Sequence, residues 1–213
     1  MRRFTLVDAL FFISHDEFTG KPVLSRSMLG IGLAGAVLCD LLLTRRIIVE
    51  DKKIRPVARP RRGPAVTDRI LSDIVAEPQR HTVRDWTDYL RQDILSLVAA
   101  PLIAAGEVTS RIDRSLLRNV QRYRPVDLLA CTAARGEVRA AVFGHVELDL
   151  HSACLALLTW IVGLDNLCEP ELGRGRLRQW MDGTLKSMPR PVAELVSGVE
   201  ATAAAAVYTG DRR

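Results

Sequence analysis

The chain has 213 residues, of which 48% are hydrophobic and 26% charged. That length fits one domain, and the apolar fraction is enough to fill a core, which excludes disordered, collagen-like and coiled-coil classes. Lys and Arg number 30 against 25 Asp and Glu, so the net charge is +5, an excess that implies an anionic partner only where the cations cluster.

In chain order, the N-terminus imitates an export signal, with Arg2 and Arg3 ahead of FTLVDALFFI. Asp8 breaks the apolar run and no small-residue cleavage site follows, so export is not expected. Leu6–Ile13 reads as a short helix and Ser14–Pro22 as a polar loop containing Gly20. The most apolar stretch, MLGIGLAGAVLCDLLL over Met28–Leu43, is shorter than the ~20 residues of a bilayer span and carries Asp40. It reads as a buried core helix starting near Ser27. Gly30, Gly32 and Gly35 each lower its propensity by ~1 kcal/mol relative to Ala and point to close helix packing.

Arg46–Val57 alternates as a hairpin does, with EDKK between two apolar runs. A basic, proline-rich loop follows, with Arg55, Arg59, Arg61 and Arg62 among Pro56, Pro60 and Pro64. Val66–Ala76 is amphipathic at helical spacing, Val83–Leu90 is a second helix, and Gln92–Ala105 is a longer one stopped by Gly106. Glu107–Pro125 reads as strand, turn, strand. Helices are expected over Val126–Phe143, Asp149–Gly163, Gly175–Ser187 and Pro191–Tyr208. The predicted architecture is mainly α, a single domain over 1–213, with two small β-hairpins each following an apolar helix.

The chemistry that the sequence offers is mostly cationic. No GxGxxG or GxxxxGK[ST] loop occurs. Cys39, Cys131, Cys154 and Cys168 lie singly in apolar stretches, which reads as buried free thiols in a reducing compartment. His145, Glu147, Asp149 and His151 would share one face of a strand, but they join two helices, and Asp149 reads as an N-cap rather than a metal ligand. Neither a metal nor a cofactor is expected. Basic residues crowd the first hairpin and its loop, from Arg45 to Arg62, and the second hairpin, at Arg111, Arg114, Arg118, Arg122 and Arg124. Lipid headgroups and nucleic-acid phosphates both fit such clusters; with three Tyr and three Trp, a stacking platform for single strands is not expected.

FTLVDALFFISHDEFTGK, then GIGLAGAVLCDLLLTRRIIVED, then LVAAPLIAAGEVT behind a proline-rich gap, resembles the Golgi phosphoprotein 3 family, the GPP34 domain. The matching parts are the helix Leu6–Ile13, Asp16 and Gly20 in the loop, the G-L-x-G helix from Gly32 to Leu43, the strand at Arg46-Ile47, and Ala105-Gly106-Glu107-Val108 as an echo of K-G-V-L. High Arg over Lys and high Ala make it look like a bacterial member. The resemblance implies a single helical domain with hairpins that binds phosphatidylinositol 4-phosphate, retains client proteins as an adaptor, and has no enzymatic activity; a hairpin mediates oligomerisation. The family's headgroup pocket uses a loop tryptophan, where this chain has Ser25, and an arginine inside G-L-x-G, where it has Ala34. It also uses two helix arginines, and the matched places here hold Gln92 and Leu95. Each missing cation removes a charge-assisted hydrogen bond of ~1.5–3 kcal/mol. Arg26 and Arg91 are candidates for a substitute site, and Arg59, Arg61 and Arg62 for electrostatic attraction at ~1 kcal/mol per cation. Leu24 is the candidate for membrane insertion. The expected partners are an anionic membrane lipid, with phosphoinositide as one form, an unidentified protein and a second copy of the chain. Nucleic acid is not expected, and the expected location is cytoplasmic, peripheral on the inner membrane face. Two alternatives remain: a protein-interaction module without lipid contact, and a winged-helix-like DNA-binding regulator.

Overall fold

Helix α2 (Arg26–Leu43) is the axis of the computed structural model, which describes residues 4–57, 62–77, 79, 82–114, 119–144, 148–167 and 169–209. Ser25 starts it: its Oγ accepts the Met28 N–H at 3.3 Å, satisfying one of the helix's open donors. Every residue from Leu29 to Leu41 is then buried. By length and apolarity α2 could cross a membrane, but 72% of it is buried inside the protein. It is the core helix that its glycines predict.

Around α2 stand α1 (Leu6–Ile13), α3 (Ala65–Ala76), α4 (Val83–Leu90), α5 (Ile94–Ala104), α7 (Leu150–Ile161) and α9 (Arg190–Tyr208). The approach is closest at Gly30, where a Cβ would lie 2.2 Å from the Arg91 carbonyl oxygen. Helix α6 (Leu128–Phe143) packs on α1 and α7, and α8 (Glu169–Ser187) follows a short 3-10 turn at Asp165–Leu167. Asp40, near the end of α2, reaches the start of α1. Its Oδ1 accepts the Leu6 N–H at 3.0 Å and its Oδ2 the Val7 N–H at 3.1 Å. The acidic residue that interrupts the apolar run is therefore the cap of another helix.

The two hairpins are separate two-stranded antiparallel sheets, β1 (Ile47–Glu50) with β2 (Lys53–Pro56) and β3 (Val108–Arg114) with β4 (Asn119–Pro125). In the first, Asp51 and Lys52 turn with φ of 50° and 61°, the conformation of a two-residue hairpin loop. The segment α8 is two helical stretches divided at Gly173, and the second, which runs on to Ser187, starts next to the expected Gly175. Gly173, with φ 71°, bends the segment in a way that periodicity does not show. Asp149 caps α7, its Oδ1 accepting the Ser152 N–H at 2.8 Å. His151 faces Glu137 Oε1 at 3.0 Å and the Phe4 carbonyl at 3.1 Å; His145 and Glu147 lie outside the described residues. Cys39, Cys131 and Cys154 are buried free thiols, and Cys168 is outside the described residues.

Candidate functional site

The loop between α1 and α2 is held in one shape by its own polar groups. Asp16 Oδ1 accepts from the Thr19 N–H and the Thr19 hydroxyl, both at 2.7 Å, and from the Phe18 N–H at 3.2 Å. These bonds hold the Asp16 carboxyl below the usual carboxylate range. The Gly20 N–H donates to the Asp16 carbonyl at 2.8 Å, the Asp16 N–H to the Lys21 carbonyl at 2.9 Å, and the Val23 N–H to the Ser14 carbonyl at 3.0 Å. Gly20 has φ 67° and lies against β4, where a Cβ would meet the Tyr123 carbonyl carbon and the Arg124 nitrogen at 2.8 Å. Only glycine fits there. The Tyr123 N–H donates to the Gly20 carbonyl at 2.8 Å, which staples the loop to the strand.

Between this loop, the start of α5 and β4 lies a cleft of about 610 Å³. Lys21 and Arg26 supply its cations, and Gln92, Ser96 and Gln121 supply neutral polar groups. Leu24, Leu29, Leu95 and Tyr123 give it an apolar floor. Among the described residues, no carboxylate, imidazole or thiol lines it. Arg26 is the first residue of α2, so its guanidinium stands where the helix dipole already favours an anion. Burial pushes the Tyr123 phenol up, and the nearby Arg26 charge offsets part of that shift.

The sequence-predicted residues divide between this cleft and other places. Arg26 lines it, and so do Gln92 and Leu95, which stand at the family's arginine positions. Ser25 is the N-cap beside it, while Ala34 is fully buried in the core. Arg91 is not part of the lining: its Nη1 donates to Ser27 Oγ at 2.8 Å and its Nε lies 3.3 Å from Asp88. Leu24 is half-buried and packs on the core as part of the floor, while the exposed apolar side chains of the same loop are Phe18 and Val23. Arg62 is exposed just ahead of α3, which contributes nothing to the cleft; Arg59 and Arg61 lie outside the described residues. Arg46, counted in the first basic cluster, is 4% exposed, donates to Thr67 Oγ1 at 2.7 Å and pairs with Asp68. In the second cluster Arg122 pairs with Asp113 at 2.5 Å.

Sequence reasoning missed Lys21, Ser96, Gln121 and Tyr123. A signal for Lys21 exists: Asp16 followed by Thr19 and Gly20 is an Asx-turn pattern, which fixes the lysine that comes next. Nothing local marks the other three, since α5 and β4 reach the loop only through tertiary contacts such as the Gly20–Tyr123 staple and the Tyr123 ring against His15. A family model described as Golgi phosphoprotein 3 (GPP34) matches residues 6–206. No curated protein matches the chain.

Proposed function

The chain belongs to the Golgi phosphoprotein 3 (GPP34) family, and from that premise we propose that it is a non-enzymatic adaptor. It docks peripherally on anionic membrane and takes a phosphorylated or acidic headgroup into the cleft at the start of α2. The observation that carries this reading is the placement of Lys21 and Arg26. No carboxylate among the described lining residues matches them, and they share the cleft with Gln92 and Leu95. The positive charge that relatives carry on the later helix is carried here by the loop and by the first residue of α2. Headgroup oxygens would meet a guanidinium, an ammonium and the amides of Gln92 and Gln121, a set suited to an anion.

Vesicle flotation tests the reading, with neutral, anionic and phosphatidylinositol 4-phosphate vesicles at low and physiological salt. Lys21→Ala with Arg26→Ala should weaken binding to anionic vesicles roughly tenfold or more, at ~1 kcal/mol per cation. Preference for the phosphoinositide would mean that the cleft selects the phosphate. Equal binding to any anionic vesicle, lost with salt, would mean charge alone. If Arg59→Ala, Arg61→Ala and Arg62→Ala abolish flotation while the cleft variant binds normally, the membrane surface is the basic loop and the cleft reading fails.

The second reading, a protein-contact module, is favoured by Val126, Leu128 and Leu129, which are 61%, 42% and 71% exposed where β4 leads into α6. Absence of flotation for the parent protein would select it. The DNA-regulator reading has less support, because the helices ahead of the two hairpins, α2 and α5, bury apolar faces and present no basic recognition surface.

A further inference from the structure

Phe18 is 65% exposed and Val23 53% exposed, on a loop otherwise built with economy. Single exposed apolar residues are ordinary on protein surfaces. These two differ in three respects. They flank Lys21, a cation of the cleft, in sequence, so the loop carries exposed apolar side chains within three residues of that charge. The loop that carries them is rigid: the Asp16 turn, the Val23–Ser14 bond, the His15–Pro22 bridge and the Gly20–Tyr123 staple hold it from both ends. Its two carboxylates are occupied, Asp16 by the Phe18 and Thr19 amides and the Thr19 hydroxyl, and Glu17 by Arg135 of α6. What the loop presents outward is Phe18, Thr19, Lys21 and Val23.

We infer that Phe18 and Val23 form a preorganised apolar wedge that enters the acyl region of an anionic bilayer while Lys21 and Arg26 hold its headgroups. The inference rests on the cleft reading and adds to it the orientation of the molecule on the surface. Peripheral attachment by charge alone is marginal and salt-sensitive, and a second, apolar signal makes it stable. A rigid loop loses little conformational entropy on insertion, so the apolar area converts to affinity with small loss. Lys21 lies between the two apolar side chains in sequence, with an alkyl stem that can pass the interface while its ammonium stays at the headgroups.

The experiment uses the full chain and phosphatidylcholine vesicles containing phosphatidylserine, with brominated acyl chains as a contact quencher. Phe18→Trp should show quenching on binding above that of the parent, whose tryptophans are Trp86, Trp160 and Trp180. Phe18→Ser with Val23→Ser should weaken flotation at least roughly tenfold, from the apolar area withheld. It should leave the thermal midpoint unchanged, because both side chains are exposed. If Phe18→Trp floats without extra quenching, the wedge is overturned, whatever the serine variant does. If the serine variant floats like the parent, the wedge is overturned and the cleft reading stands wherever Lys21→Ala with Arg26→Ala still loses binding. If the parent does not float, the cleft reading fails and the wedge with it.

Discussion

Asp40 and His15 are both buried, and burial moves them in opposite directions. The Asp40 carboxyl is raised from 3.8 to about 6, with the Leu6 and Val7 amides holding it back from rising further. The His15 ring is lowered from 6.5 to about 4, although its Nδ1 lies 2.7 Å from the Phe11 carbonyl. Between about pH 4 and 6 the unfolded chain releases the Asp40 proton while the folded one keeps it, so this group's stabilisation is lost as pH rises. Over the same span the unfolded chain keeps a proton on His15 that the folded one refuses, so that group's contribution grows with pH and is lost as pH falls. The two slopes, each near 1.4 kcal/mol per pH unit, oppose each other. His15→Gln should therefore expose a stability that declines from pH 4 to 6, and Asp40→Asn one that climbs. Denaturant midpoints for each variant, subtracted from the parent at each pH, read this directly. Parallel profiles for all three proteins would refute it. Sequence reading noted Asp40 only as a charge against a membrane span, because its partners, Leu6 and Val7, are more than thirty positions away and no local pattern ties them to it.

At the level of elements, helix boundaries were legible wherever a cap or an apolar stripe is local. The Asp149 cap and the buried stripe of α2 follow from residues within one or two turns, while the Ser25 cap sets the start of α2 at Arg26, one residue ahead of the expected Ser27. The first hairpin was legible from apolar runs flanking the polar EDKK, and the second as strand, turn, strand over Glu107–Pro125. The short helical stretch ahead of the Gly173 kink was not, because the chain there carries no apolar stripe. Glycines inside helices also divide in a way that sequence alone does not show. Gly30→Ala sets a methyl against the Arg91 carbonyl oxygen, a backbone atom that cannot rotate away, and should destabilise by about 1–3 kcal/mol. Gly136→Ala in α6 meets open space and should stabilise by up to about 1 kcal/mol. Opposite shifts in thermal midpoint would confirm the pair, and a stabilising Gly30→Ala would show that α2 and the turn at Arg91 are not in contact.

At the level of the whole molecule, the cleft joins three segments distant in sequence: the α1–α2 loop, the start of α5, and β4. Family resemblance pointed to the region through Ser25, Gln92 and Leu95. It could not show that Arg91 turns toward Ser27 and Asp88 while Lys21 and Arg26 face the opening. The assembly depends on the staple between Gly20 and Tyr123. Gly20→Val keeps every cation, yet it adds a side chain at φ 67° and 2.8 Å from the β4 backbone. It should part the loop from the strand and weaken vesicle binding severalfold while Lys21 and Arg26 remain. Binding equal to the parent would mean that the cleft's shape is irrelevant and its charge sufficient.

The cover over α2 also sets a race in time. Gly35 nests against Val199 of α9 and Leu158 of α7, elements that leave the ribosome long after α2 does. Until they arrive, an apolar helix of bilayer length is bare, and a translocation channel could accept it, with Asp40 as the main deterrent. We expect the surface that reaches α2 first to set where a newly made chain goes. Val199→Asp, which bars α9 from its seat, should shift a fraction of the nascent chains into membranes in a form that alkaline carbonate does not extract. Complete extraction would show that Asp40 alone keeps α2 out.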